Sequence, residues 1–182
     1  LNRVPVLPAE RVSLESALGR YLAEDIVSPL DIPPFDNSAM DGYAVRSGDV
    51  KVPGVSLEIA SVLPAGVFPG EPLRQGQAVK IMTGAPIPEG ADAVVRREDT
   101  IEEKARVIIN IVPERHEHIR FLGEDISAGQ RVLSAGILLG PAQIGVLASL
   151  RRPFVQVGQK PVVAVLATGD EIAELGEEAG PT

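Results

Sequence analysis

The chain of 182 residues contains no cysteine and no tryptophan, and its aromatic side chains are four Phe and two Tyr. The absence of cysteine excludes disulfides, zinc–thiolate sites, iron–sulfur clusters and a thiol nucleophile from its chemistry. With so few aromatic side chains, the core must be built from Val, Ile, Leu and Ala. This composition favours β-structure and makes an all-helical fold the poorest expectation.

Basic residues and long apolar runs are also scarce. The 17 Lys and Arg residues are outnumbered by 25 Asp and Glu, and the net charge of −8 disfavours a broad nucleic-acid surface. No apolar run approaches the roughly 20 residues that span a bilayer, and residues 1–10 lack a signal-peptide pattern. We therefore expect a folded protein of the cytoplasm that binds neither nucleic acid nor membrane.

Glycine and proline, by contrast, are abundant, with 18 and 16 residues spread along the chain. They predict many short elements joined by tight turns. Ser13 is a candidate N-cap for a short helix over 14–18, which Gly19 would end. The alternation of apolar residues and the turn signals predict strands over 55–63, 78–82, 92–96, 105–111 and 131–133. Strands at this spacing suggest a small barrel or sandwich.

The last part of the chain has a different character. Pro141 stands where a first helical position is expected, and apolar residues follow at helical spacing. Residues 161–167 form a continuous apolar run, which is typical of a buried parallel strand, and a polar helical pattern follows. These features predict the first β-turn-α of an α/β domain that is incomplete at Thr182. We therefore expect the chain to be a piece of a longer protein.

Three stretches combine Gly or Pro with acids and hydroxyls, and the first is SPLDIPPFDNSAMDGYAVR at 28–46. Its adjacent prolines stiffen an extended segment, and Asp41-Gly42 allows a tight turn with a carboxylate at its tip. Such a carboxylate can hold a hydrated magnesium ion, which takes one or two carboxylates plus substrate oxygens. Taken alone, the pattern favours an ordinary proline-rich connection into a hairpin, because Asp-Gly is a common hairpin turn.

The second stretch is IMTGAPIPEGADAVV at 81–95. A strand that ends in Thr83-Gly84 exposes a hydroxyl and backbone N–H groups, which is a common way to hold an oxyanion. A strand followed by a plain Gly/Pro turn accounts for the same residues, so both interpretations stay open.

The third stretch is Thr168-Gly169-Asp170-Glu171, directly after the apolar run. A Gly turn at the carboxyl end of a parallel strand is a favoured place for a phosphate-bearing ligand. The acids would repel such a ligand unless a cation lay between them. Their alternative role is to stabilise the start of a helix.

Other charged groups give weaker signals. His116 and His118 would lie on one face of a strand as a metal pair, but no third ligand is evident and a solvated turn is favoured. Arg46, Lys80 and Arg120 are the cations that an anionic substrate could meet, although an isolated Arg is usually a solvated surface residue.

Taken together, the motifs resemble the N-terminal part of the MoeA and gephyrin E-domain family, the molybdopterin molybdenumtransferases. The resemblance rests on the first two stretches, on GEDISAG at 123–129 and on VAVLATGDEI at 163–172, in this order. It implies a transferase of molybdenum cofactor synthesis that inserts molybdate into adenylylated molybdopterin, with Mg²⁺-dependent release of AMP. Mg²⁺ is the expected cofactor, and adenylylated molybdopterin and molybdate are the expected substrates.

The resemblance also assigns roles to residues. The Asp of the MDGYA motif, the Thr of the MTGA motif and the Glu of the TGDE motif are functional in the family, and they fall on Asp41, Thr83 and Glu171. We expect Asp41 and Glu171 to hold the metal or position water, and Thr83 to contact an oxyanion. The candidate substrate-binding residues are Gly84, Arg46, Arg120, Thr168, Gly169 and Asp170.

The fold that the resemblance implies is mixed α and β, mainly β. Residues 1–44 and 120–150 would form an elongated, discontinuous first domain for dimerisation, with a β-barrel-like second domain inserted at 45–119. Residues 151–182 would form a linker and the start of a truncated molybdopterin-binding α/β domain. The family's active site forms between the subunits of a homodimer. The molybdopterin adenylyltransferase is a further candidate partner.

The chain departs from the family pattern in two respects. Before GEDI, bacterial members often carry a run of Arg, whereas Phe121 and Leu122 follow Arg120 here, and His118 takes a position frequently filled by Asn. The later family segments are absent, so we do not expect the chain alone to complete the reaction. A non-catalytic dimerisation or scaffold module and a simple molybdate carrier are the alternatives. The joint presence of Asp41, Thr83 and Glu171 favours the enzyme.

Overall fold

The computed structural model describes residues 7–166 together with Thr168 and Gly176. These residues divide between two compact units, one comprising Leu1–Glu24 and Ala135–Thr182 and the other Asp25–Ser134. The single described α-helix, α1, is Pro141–Ser149, and 3-10 helices lie at Leu14–Ala17, Ser47–Asp49 and Arg97–Asp99. The described strands are β1 Ala9–Ser13, β2 Ile26–Val27, β3 Asn37–Ser38, β4 Gly42–Val45, β5 Val55–Leu63, β6 Gln77–Ile81, β7 Ala93–Arg96, β8 Thr100–Glu103, β9 Arg106–Ile109, β10 Ile119–Arg120, β11 Arg131–Leu133 and β12 Phe154–Gly158.

The unit formed by Asp25–Ser134 is built on a six-stranded sheet with the strand order β7-β4-β6-β5-β9-β8. Its pairs are antiparallel except β5 and β6, which are parallel and shift register between Ile59 and Ser61. Two short antiparallel pairs, β2 with β11 and β3 with β10, lie outside this sheet. The mainly β fold is confirmed.

Strand β4 is covered on both faces. All four of its residues are buried, and successive side chains of a strand point to opposite faces. Tyr43 and Val45 pack into one apolar cluster with residues such as Val107, whereas Ala44 packs into a second cluster with residues such as Ile81. The strand therefore lacks polar alternation, because neither of its faces meets solvent.

The sheet curls so that its ends approach one another. The hydroxyl of Tyr43 on β4 donates to Glu102 Oε2 on β8 at 2.5 Å, and Lys80 Nζ on β6 lies 2.6 Å from the same oxygen. The edge strands β7 and β8 are joined by the 3-10 helix Arg97–Asp99 alone, and so short a connection spans at most about 14 Å. Within the described strands, β7 and β8 do not pair, so the sheet curls like a barrel without hydrogen-bonded closure.

The other unit pairs β1 with β12 in antiparallel register, from Ala9 opposite Gly158 to Ser13 opposite Phe154. Helix α1 begins at Pro141, whose missing N–H costs nothing at a first helical position. The buried apolar residues of this unit include Ala17, Leu22, Leu139, Leu147, Leu150, Val155 and Val157. No described helix is long and apolar enough to cross a membrane.

Most of the predicted elements are confirmed. The strands over 55–63 and 131–133 have their predicted bounds, and those predicted over 78–82, 92–96 and 105–111 are β6, β7 and β9. Helix α1 starts at the predicted proline. The short helix after Ser13 is a 3-10 helix, and Ser13 does not cap it, because its hydroxyl donates to the Ser16 side chain instead.

The strand predicted over 161–167 is wrong for the residues that the structure describes. Residues 161–166 have no regular secondary structure, and the Val162, Val163, Val165 and Leu166 side chains are at least 74% exposed. A buried parallel strand requires neighbouring strands and covering helices. No described strand pairs with this run. The predicted boundaries at 44 and 120 lie inside the Asp25–Ser134 unit, and the three-domain division stays a prediction.

Candidate functional site

The two strongest site candidates lie at neighbouring strand ends. Asp41 immediately precedes β4, and Thr83 follows the end of β6. Because β4 and β6 are antiparallel neighbours, with Gly42 opposite Ile81, the start of one meets the end of the other. The sheet topology therefore brings together two residues that are 42 positions apart in sequence.

Thr83 holds the carboxylate of Asp41 through two donors. Asp41 Oδ1 accepts the Thr83 backbone N–H at 2.7 Å and the Thr83 hydroxyl at 2.8 Å. The backbone hydrogen bond is the main cause that lowers the pKa of Asp41 below its ordinary value, and the hydroxyl contributes next. The carboxylate is exposed and ionised at neutral pH. Among the described residues, its Oδ2 accepts no hydrogen bond.

Gly42 fixes the backbone beside this carboxylate. A Cβ at Gly42 would lie 2.0 Å from the carbonyl oxygen of Val95 on β7, so only glycine fits. On the same side, the Arg97 N–H donates to the Asp41 carbonyl at 3.0 Å. The predicted tight hairpin turn at Asp41-Gly42 is wrong, because Gly42 is the first residue of β4 and is required by the approach of β7.

The turn after Thr83 differs from the expected oxyanion cradle. Gly84 has a φ of 81°, and its N–H donates to the Ser38 carbonyl at 2.8 Å. The Ala85 N–H donates to the Met82 carbonyl at 3.0 Å. Since Thr83 directs both its donors to Asp41, every N–H from 83 to 85 is already paired within the protein. In this structure Thr83 orients Asp41 and does not present free donors to an oxyanion.

A small pocket opens beside Asp41. Its volume is about 40 Å³. Beside it, the exposed Glu102 accepts hydrogen bonds from two of the lining residues, Lys80 and Tyr43. These bonds, chiefly that of Lys80, lower the pKa of Glu102, and burial raises the pKa of Tyr43 far above its ordinary value. The pocket is lined by Asp41, Gly42, Tyr43, Lys80, Met82 and Arg97.

Arg46 and Arg120 do not join Asp41 and Thr83. Arg46 follows the far end of β4, where its Nε lies 3.8 Å from Asp49 Oδ2. Arg120 Nε donates to Glu124 Oε1 at 2.7 Å, and its terminal nitrogen donates to Asp125. Asp125 is the main cause that raises the pKa of Arg120. The guanidinium of Arg120 is thus held by the acids of the GEDI motif.

Most of the third predicted stretch lies outside the residues that the structure describes. Thr168 is exposed and has no regular secondary structure. Gly169, Asp170 and Glu171 lie outside the described residues, so their roles stay predictions.

The described histidines do not form a metal centre. His116 packs edge-on against Phe121 with ring centroids 5.2 Å apart, and His118 Nε2 lies 3.6 Å from Glu117. In the described part of the chain, no group of three or more metal-binding side chains occurs. A lone ionised carboxylate with one oxygen unpaired suits Mg²⁺, which retains several waters and takes substrate oxygens. Asp41 fits that requirement.

Sequence reasoning missed three residues around the pocket, namely Tyr43, Arg97 and Glu102. Arg97 belongs to a charged run after β7 that is typical of a solvated surface. The strand that carries Glu102 was not predicted, and no spacing rule connects it with Lys80. Only the curl of the sheet brings these side chains together.

The fold and this site define the class of the chain: a curled β-domain carrying an ionised carboxylate that a Thr-Gly turn holds. The family model for the MoeA N-terminal region (domain I and II) matches residues 1–150. The chain belongs to the MoeA family.

Curated relatives and a solved structure agree with this assignment. The chain is 42% identical to a molybdopterin molybdenumtransferase of Nostoc, over 99% of this chain and 43% of the relative. It is 43% identical to that of Haemophilus influenzae, over 92% of this chain and 42% of the relative. A crystal structure of the molybdopterin biosynthesis MoeA protein from Pyrococcus horikoshii OT3 superposes with a TM-score of 0.87 at 38% identity, covering 94% of this chain and 47% of that one. The chain thus spans less than half the length of these relatives.

Proposed function

We propose that this chain is the N-terminal part of a molybdopterin molybdenumtransferase. The complete enzyme inserts molybdate into adenylylated molybdopterin and releases AMP with the help of Mg²⁺. Membership of the MoeA family supports this activity, and the observation that carries it is the Asp41 carboxylate, ionised and oriented by Thr83. Breaking a phosphoanhydride requires positive charge near the reacting oxygens, and an ionised, oriented carboxylate can hold the cation that supplies it.

Asp41 holds Mg²⁺ in this proposal. When bound, the ion supplies positive charge that neutralises the oxygens of the phosphoanhydride. Thr83 fixes the orientation of Asp41 Oδ1 and keeps the carboxylate ionised, which leaves Oδ2 for the ion. Lys80 lines the same pocket, where its ion pair with Glu102 fixes its position and offsets part of its charge.

The remaining parts of the proposal concern residues and partners beyond this site. Glu171 provides a second acid for the metal, and Thr168, Gly169 and Asp170 contact the substrate. Dimerisation combines these residues with the Asp41 region, so the protein works as a homodimer. It acts in the cytoplasm and takes its substrate from the molybdopterin adenylyltransferase. The chain alone does not complete the reaction, because it lacks more than half the length of its relatives.

The test is AMP release from adenylylated molybdopterin and molybdate by the full-length protein. Asp41→Asn keeps the shape of the side chain but removes its charge, and we expect AMP release to fall at least roughly 10-fold, since loss of even an outer-shell partner of a metal site costs about 10- to 100-fold. Glu103→Gln is the matched control, because Glu103 is an exposed acid at the end of β8. Equal release by wild type and Asp41→Asn would remove the role of Asp41.

Other outcomes identify the alternatives. A folded, dimeric full-length protein that releases no AMP supports the scaffold interpretation. Molybdate binding that persists without the pterin and is accompanied by no AMP release supports the carrier.

A further inference from the structure

Arg97 differs from the other arginines of the Asp25–Ser134 unit. Each of those contacts a carboxylate or, in the case of Arg106, a serine. Within the described residues, the Arg97 side chain makes no hydrogen bond and no ion pair. Its guanidinium therefore keeps all of its donors available.

The position of Arg97 is nevertheless fixed. Its backbone N–H donates to the Asp41 carbonyl at 3.0 Å, and it begins the 3-10 helix between the two edge strands. Its side chain lines the pocket of about 40 Å³ together with Asp41 and Lys80. The backbone anchor places an unpaired cation next to the site carboxylate.

Of the two cations that line the pocket, Arg97 is the one whose side chain makes no ion pair with a described carboxylate. After Thr83 has lowered the pKa of Asp41, the positive charge of Arg97 lowers it further. Lys80 lies 2.6 Å from Glu102, so that carboxylate offsets much of its charge. An anion that entered the pocket would be repelled by Asp41 and attracted by Arg97, which lines the same pocket.

We propose that Arg97 binds a tetrahedral oxyanion at the Asp41 pocket. The planar guanidinium presents paired N–H donors whose spacing matches two oxygens of such an anion. Under the proposed function, on which the identity of the anion rests, its source is either molybdate or the pyrophosphate linkage of the adenylylated substrate. Lys80 assists through its charge, and Arg97 supplies the directional hydrogen bonds.

The experiment is calorimetric titration of the full-length protein with two separate probes, sodium molybdate and inorganic pyrophosphate. The variant Arg97→Gln removes the charge, and Arg96→Gln is the control, because Arg96 is the adjacent exposed arginine and pairs with Asp99. We expect Arg97→Gln to weaken one probe roughly tenfold or more, as loss of a charged hydrogen bond does. Arg96→Gln should change it by less than about threefold, and Arg97→Lys should fall between them. The probe that responds identifies the source of the anion.

The proposal is overturned if both glutamine variants, folded by circular dichroism, bind each probe equally, or if wild type binds neither probe. Its failure is distinguishable from failure of the proposed function. Wild-type AMP release with probe binding insensitive to Arg97→Gln rejects the oxyanion site alone. If the full-length protein binds a probe in an Arg97-dependent way but releases no AMP, the proposed transferase function is rejected and the oxyanion site is retained.

Discussion

Thr83 directs two donors, its backbone N–H and its hydroxyl, to the same oxygen of Asp41. The second oxygen of that carboxylate accepts no hydrogen bond from the described residues. One oxygen thus fixes the orientation of the group and the other stays available for a ligand. This division depends on the antiparallel pairing of β4 and β6, which places the two residues at the same end of the sheet.

Removing the Thr83 hydroxyl should raise the pKa of Asp41. In Thr83→Ala the backbone hydrogen bond, which is the largest cause of the depression, remains, so the pKa should rise but stay below the ordinary value. Because the folded-state pKa is depressed, the stabilising effect is present above the unfolded value and is lost as the pH falls through the folded value. Carboxyl-carbon NMR titration measures the shift.

The control for that titration is Thr100→Ala, since the Thr100 hydroxyl donates to the Arg97 carbonyl and does not contact Asp41. An Asp41 pKa unchanged in Thr83→Ala would show that the Thr83 hydroxyl does not contribute to the depression.

The pKa of Glu102 should depend on two hydrogen-bond partners, and more strongly on Lys80 than on Tyr43. Lys80→Met removes the largest cause of its lowered pKa, and Tyr43→Phe removes the second. We therefore expect the pKa of Glu102 to rise in both variants, and more in Lys80→Met. In both, the pH range over which Glu102 stays ionised should begin higher, as NMR titration would show. Lys51→Met, which alters an exposed lysine outside the pocket, should leave Glu102 unchanged; a reversed order of the two shifts contradicts the geometry.

Gly42→Ala should destabilise the protein severely. The added methyl group would lie 2.0 Å from the Val95 carbonyl oxygen, and that oxygen belongs to a paired strand that cannot move without breaking the sheet. We expect a loss of about 3 kcal/mol or more in the free energy of unfolding, measured by urea denaturation.

Gly48→Ala is the matched variant, because a Cβ at Gly48 meets no atom within 4 Å. It should change stability by about 0.5 kcal/mol or less. Similar losses for both glycines would argue against the close approach at Gly42.

Asp92 should contribute to stability through Ser47. Asp92 Oδ1 accepts the Ser47 N–H at 2.6 Å, and its Oδ2 accepts the Ser47 hydroxyl at 3.0 Å. Asp92→Ala leaves the first N–H of the 3-10 helix unpaired, so thermal or urea unfolding should show a loss of about 1 kcal/mol. Ser47→Ala removes only the hydroxyl bond and should cost less; an equal or larger loss would assign the effect to the hydroxyl.

The sequence predicted strands where turn signals set them off, including the mostly buried β7, and missed the mostly exposed β8. Strand β5 shows polar alternation and was located at its observed bounds, whereas β4 has no exposed side chain and was missed. The strand expected over 161–167 failed because its burial depends on neighbours that the described residues do not supply. Asp41 and Thr83 were found through their motifs, but Arg97 and Glu102 were not, because their roles arise only when the sheet curls.

The 3-10 helix Arg97–Asp99 is the sole covalent link between the two edge strands of the curled sheet. Its length consequently limits how far apart β7 and β8 can lie at the end of the sheet that carries the pocket. An inserted or deleted residue there would displace the Arg97 side chain relative to Asp41 while leaving every strand sequence intact. Among related chains, variation in the length of this connector should therefore alter ligand preference more than variation in its composition.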